Sequence, residues 1–144
     1  MADMNINVDA VWNGGVEGNG SLKAEYLDTK IAIPTSLGGS GNGANPKEVL
    51  VAAVTTCYTA ILTSVLEKKE LPVDELKVNT EATISNDGFE IIHYPEVILS
   101  ADASDEQVQT AQRATEEAEE VCEVGNMLKK ADVEIKVLGK VLMD

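Results

Sequence analysis

The stretch from Asn45 to Lys69, "NPKEVLVAAVTTCYTAILTSVLEKK", limits what this chain can fold into more than any other. Asn45 is an N-cap candidate, Pro46 suits the first helical position, and Glu48 completes a capping-box pattern. Apolar residues then occupy nearly every side of the helix: Val49 to Val54, Tyr58, Ala60, Ile61, Leu62, Val65 and Leu66. A helix apolar all round predicts a buried one, the spine of a domain. The charged run "EKKE" and Pro72 end it. Cys57, one of two cysteines in the chain, lies inside this helix.

The remaining segments predict strands and one further helix around that spine. Residues 4 to 13 alternate with Ile6, Val8 and Ala10 inward, a period-two strand pattern. "GGVEGNG" is a Gly-rich turn, and "SLKAEYLDTKIAIP" reads as two short strands. The loop "TSLGGSGNGAN" holds neither a Walker spacing nor a complete GxGxxG, which argues against a phosphate cradle. "NDG" joins two strands as a hairpin. Ser104 opens a second helix with the capping box "SDEQ", and Val108, Ala111, Thr115, Ala118 and Cys122 form its inward stripe. "ADVEIKVLGKVL" reads as a last strand. The order β-β-β-α-β-β-α-β with antiparallel hairpins is that of an α+β fold, expected as a single domain over residues 1–144.

Composition narrows the function. The net charge of −14 and a single Arg leave no clustered cations to track phosphates, so nucleic acid is not an expected partner. The start lacks the charged and apolar regions of a signal peptide, and the apolar run from residue 49 to 66 is interrupted by four Thr and a Ser. The expectation is a cytoplasmic protein with no membrane partner. There, thiols are kept reduced, so two cysteines are either buried filler or redox chemistry. One His and two Cys cannot alone build a four-ligand zinc site, and no cofactor is expected.

"SLGGSGNGANPKEVLVAAVTTCYTAIL" together with "EEVCEVGNMLKKADVEIKV" resembles the OsmC/Ohr family of osmotically inducible and organic hydroperoxide resistance proteins. The likeness extends over most of the chain: the Gly-rich turn and loop, Asn-Pro opening the helix, Cys57 twelve residues after Asn45, and Cys122 before the last strand. The resemblance implies antiparallel sheets wrapped around a long buried central helix, in an intertwined homodimer. It also implies a thiol-dependent peroxidase for organic hydroperoxides. Cys57 would attack the peroxide, Cys122 would resolve the sulfenic acid into a disulfide, and a dithiol reductant would restore both.

That chemistry needs a thiolate, and burial alone opposes one. The family supplies an Arg from the first Gly-rich turn, held by a Glu directly after Asn-Pro. This chain has Val16 and Lys47 at those positions, with Glu48 one place later. Nine helical steps of about 100° set Glu48 roughly opposite Cys57, so Glu48 is a site candidate whose competing role is helix capping. Lys47, Lys23, Lys129 and Lys130 are alternative cations, each with a solvated surface role in competition. His93 is expected to be a hydrogen-bonded strand residue, and Trp12 and Tyr58 packing residues. The substituted Arg and Glu keep two other functions open: a non-enzymatic relative binding a small hydrophobic molecule, and a thiol redox sensor.

Overall fold

Glycine shapes the first strands among residues 4–144, which the computed structural model describes. β1 (Asp9–Asn13), β2 (Asn19–Lys23) and β3 (Asp28–Ile31) form an antiparallel sheet in that order. The turn between β1 and β2 places Gly14 at φ 87°, and a Cβ on Gly18 would fall 2.0 Å from the Asn13 carbonyl oxygen. β1 is shorter than its pattern predicts, and the expected inward positions are not inward. Ile6 and Val8 are 71% and 48% exposed, and Ala10 is exposed too. The chain divides into two compact units with the boundary after Leu50; among its described residues the first adds to this sheet only a short 3-10 turn and the opening residues of a longer helix. Of its described residues only Gly20 and Ala32 are buried.

α1 runs from Pro46 to Lys68. Asn45 Oδ1 accepts the Glu48 N–H at 2.9 Å, the capping bond the sequence predicts. Within the second unit only one stripe of α1 is buried, at Val54, Tyr58, Leu62 and Leu66. This corrects the expectation of burial on every side: Ala52, Ala53, Thr56, Ala60 and Thr63 are exposed. Steps of four keep the buried residues on one face, and that is the face the core covers. Thr55, Thr56, Thr59 and Thr63 each donate to the carbonyl four residues back, so their hydroxyls need no outside partner. By length and composition alone the helix is long and apolar enough to cross a membrane, a test that the core helix of a soluble protein also passes.

β4 (Val73–Ser85) and β5 (Gly88–Leu99) form the predicted hairpin, with Gly88 at φ 139° after Asn86-Asp87. β5 alternates strictly, burying Ile91, His93, Pro95, Val97 and Leu99. α2 (Asp105–Glu120) begins with the complete Ser104–Gln107 capping box and buries Ala111, Ala114, Thr115 and Ala118. It stops before Cys122, which instead precedes a separate helix, α3 (Glu123–Lys129). The expected last strand is two, β6 (Val133–Val137) and β7 (Lys140–Met143), broken at Leu138-Gly139. Both pair with β5 in parallel, so this sheet is mixed. The α2–α3 crossover makes that direction possible. The stripe of α1, the inner face of β5 and the small residues of α2 form one core.

Candidate functional site

Helix periodicity puts Cys57 one residue before the buried stripe of α1, and its thiol is half-buried. Cys122 arrives from the end of α2. Its N–H donates to the Glu119 carbonyl at 3.4 Å, closing the last turn, and the chain then turns into α3. Cys122 is the N-cap of α3: its Sγ accepts the Gly125 N–H at 3.4 Å, and the side chain is 1% exposed. The two free thiols share one core: Cys122 belongs to the buried cluster and Cys57 packs against it. Burial, first, and the contact with Cys57, second, push the Cys122 thiol up to about 11, while the Gly125 N–H pulls the other way.

Tyr58, the residue after Cys57, is held at both its hydroxyl and its ring. The Tyr58 hydroxyl donates to the Thr115 carbonyl at 2.7 Å, and its ring stacks on His93 with centroids 4.3 Å apart and planes 8° from parallel. Burial raises the Tyr58 phenol far above its ordinary value, with Glu119 and Cys122 adding to it. His93 Nδ1 shares a 2.8 Å hydrogen bond with Thr80 Oγ1, and burial lowers its pKa to about 4, so the ring is neutral near pH 7. Tyr58 and His93 are thus the packed tyrosine and hydrogen-bonded strand histidine their positions suggest.

The charged candidates are exposed or engaged in other contacts. Glu48 and Lys47 are exposed in the first turn of α1, Lys23 is exposed at the end of β2, and Val16 is exposed in the first turn of the first sheet. The observed contact of Glu48 is its N–H on Asn45 Oδ1, the helix-capping bond. Lys129 makes an ion pair with the mostly buried Glu119 carboxylate. Lys130 is exposed, and Arg113 is exposed with a bond to Thr110 Oγ1. The Gly125 N–H and the Glu119–Lys129 pair escaped sequence reasoning. A polar side chain three residues before Gly125, at a break in the α2 pattern, is the N-cap signal that identifies the first.

Among the described residues, no three His, Cys, Asp or Glu side chains are grouped to hold a metal ion. The first unit carries an open apolar groove of about 350 Å³ lined by Trp12, Leu22, Ile31, Ala44 and Val49, among others, and neither cysteine lines it.

The OsmC-like protein family model matches residues 39–137. The chain is 31% identical to the uncharacterized protein YmaD of Bacillus subtilis, over 97% of this chain and 100% of that one. It is also 31% identical to the organic hydroperoxide resistance protein of Xanthomonas axonopodis pv. citri, over 54% of this chain and 51% of that one. Among solved structures, an OsmC-like protein from Mycoplasma pneumoniae superposes with a TM-score of 0.75 at 17% identity, covering 98% of this chain and 99% of the other. An organic hydroperoxide resistance protein from Elizabethkingia anophelis gives 0.68 at 23% identity, with 100% of both chains covered. At such identities the structural likeness establishes the fold.

Proposed function

The chain belongs to the OsmC-like protein family, and on that premise we propose that it is a thiol peroxidase for organic hydroperoxides, acting in the cytoplasm as a homodimer. One observation carries the reading: the chain's only two cysteines, 65 positions apart in sequence, meet at one core, Cys57 packed against the cluster that contains Cys122. Their unequal burial divides the labour. The half-buried Cys57 is the thiol a bulky peroxide reaches, and the buried Cys122 waits behind it. The Cys57 thiolate attacks the terminal peroxide oxygen; the O–O bond breaks, and the alkoxide takes a proton and leaves as alcohol. Cys122 sulfur then attacks the Cys57 sulfenic sulfur, water leaves, and a disulfide remains. A dithiol reductant returns both thiols and is itself oxidised to a disulfide.

The dimer rests on apolar surface. Met4, Ile6, Val8, Val11 and Leu37 in the first unit are exposed, more than isolated surface residues require. The decisive experiment follows consumption of cumene hydroperoxide with dithiothreitol. Wild type is expected to turn over, and Cys57→Ser to fall to the uncatalysed rate. Equal rates for the two proteins, or none for wild type, would overturn the peroxidase.

A second reading, binding of a small hydrophobic molecule without turnover, is favoured by Val16 in place of an Arg and by the Trp12 groove. Absence of turnover combined with saturable quenching of Trp12 fluorescence by a hydrophobic ligand would decide for it.

A further inference from the structure

Asn-Gly occurs three times in this chain, at Asn13-Gly14, Asn19-Gly20 and Asn42-Gly43. The dipeptide is chemically labile in water. Glycine has no side chain to shield its main-chain nitrogen, and that nitrogen closes on the Asn amide carbon wherever the backbone between them is free to turn. All three asparagines are exposed, so accessibility does not separate them and the backbone around each one decides. We propose that Asn13, at the exit of β1, is a self-modification site that converts to aspartate and isoaspartate, while the surrounding strands protect the other two. Neither thiol takes part, and no peroxide is needed.

Asn19-Gly20 lies inside β2, the middle strand, where Gly20 is buried and pairs with Trp12 in β1 and Ile31 in β3. Pairing on both sides holds that backbone extended. Gly43 lies so close to β3 that a Cβ on it would fall 2.7 to 2.9 Å from the Ile31 backbone. The next residue is fastened twice: the Ala44 N–H donates to the Lys30 carbonyl at 2.8 Å, and the Ala44 carbonyl accepts the Ala32 N–H at 3.1 Å. Asn13 is held less. It forms the last pair of the β1–β2 ladder, with Asn19. Beyond it Gly14 takes φ 87°, and among the described residues no hydrogen bond holds the Gly14 N–H. The turn closes instead at Gly15, whose carbonyl accepts the Gly18 N–H and the Trp12 indole N–H, each at 2.9 Å.

The Gly14 nitrogen attacks Asn13 Cγ, its proton leaves with the amide nitrogen as ammonia, and a cyclic imide remains. Water then opens either imide carbonyl, giving aspartate or isoaspartate and one added negative charge. The sequence is redox-neutral, and water is its only co-reactant. Isoaspartate also places one more carbon in the main chain. That carbon falls between Trp12 and Gly15, inside the span the indole bond bridges, so the anchor of Trp12 in the wall of the apolar groove is lost.

The test begins with the full wild-type chain, incubated at mildly alkaline pH, sampled over days and cut by a protease. Mass spectrometry with fragmentation that separates aspartate from isoaspartate then reads each site. Asn13 is expected to convert at least about tenfold faster than Asn19 and Asn42, since they react only through local opening of the strands. In urea, where no strand protects them, the three sites are expected to convert at similar rates. Equal rates at Asn13 and either other site in the folded chain would overturn the proposal, and so would the folded ranking persisting in urea. Trp12 gives a second readout, being the only Trp. Its emission is expected to shift with the time course of Asn13 conversion and to stay constant in Asn13→Gln, whose longer side chain closes the ring far more slowly. An emission change of equal rate in Asn13→Gln would overturn the link to the Trp12 anchor.

Discussion

The two units of this chain treat their apolar residues in opposite ways. Residues 51–144 bury a continuous core of α1, β5 and α2 side chains, including Tyr58, Leu62, Ile91 and Leu99, each 0% exposed. Among the described residues up to Leu50, Gly20 and Ala32 alone are buried, while Ile6, Val11 and Leu37 are more than half exposed. Both segments are β-rich and both have apolar positions, so composition does not separate them. The difference is a second layer. The β4–β5 hairpin has helices to pack against, whereas among the described residues of its own unit the three-stranded sheet has only a 3-10 turn and the opening residues of α1. Conformational entropy must be offset by burial, and in the first unit little burial is available to do it.

Leu62→Ala should have the largest effect, because it opens a cavity in the well-packed unit. A loss of about 2–5 kcal/mol is expected in urea unfolding. A loss under 1 kcal/mol would mean that the core is far looser than its burial implies.

Acid comes next. The imidazole of His93 binds a proton at about 6.5 when unfolded but only at about 4 when folded, because it is buried. Between those values the unfolded chain holds more protons, so stability falls as pH drops through this window and levels off below it. Relative to His93→Gln, wild type should lose about 3 kcal/mol between pH 7 and pH 4. Parallel stability curves for the two proteins would remove His93 from the account.

The smallest effect is expected from Ile6→Ser with Val8→Ser at concentrations where the chain is monomeric, within about 0.5 kcal/mol. At concentrations where the proposed dimer forms, checked by light scattering, the same pair should shift the association equilibrium strongly. An unchanged equilibrium would show that these residues are not what a second copy covers.

What the sequence made legible follows from local chemistry. The Asn45-Pro46 start of α1, the Ser104 box of α2 and the turn at Gly88 each depend on a few adjacent residues, and each forms as expected. What stayed hidden depends on partners distant in sequence. The exposed face of α1 could not be read because uniform apolarity says nothing about which sides will be covered. Cys122 sits four residues after Ala118, which continues the α2 stripe, so its role as the N-cap of α3 was masked by a period that still fitted. The parallel pairing of β6 and β7 was hidden because antiparallel hairpins dominated the nearer sequence. Glu48 shows the same limit from the other side: its capping position was readable, but a catalytic role depends on groups that its own helix does not specify.

β5 pairs along one edge with β4 and along its other edge with β6 and then β7, end to end. The two late strands register against Phe89–His93 and Glu96–Leu99, so between them they cover nearly the whole strand. A nascent chain emerging from its amino end therefore carries β5 with half its backbone groups unpaired until the residues after Ala131 have been made. During that interval the strand that buries the most residues, among those described, is an open edge, a template for any other unpaired strand. Synthesis order, rather than final stability, sets the period in which this chain is most prone to aggregate. A carboxyl-terminal tag that frayed β7 would prolong it.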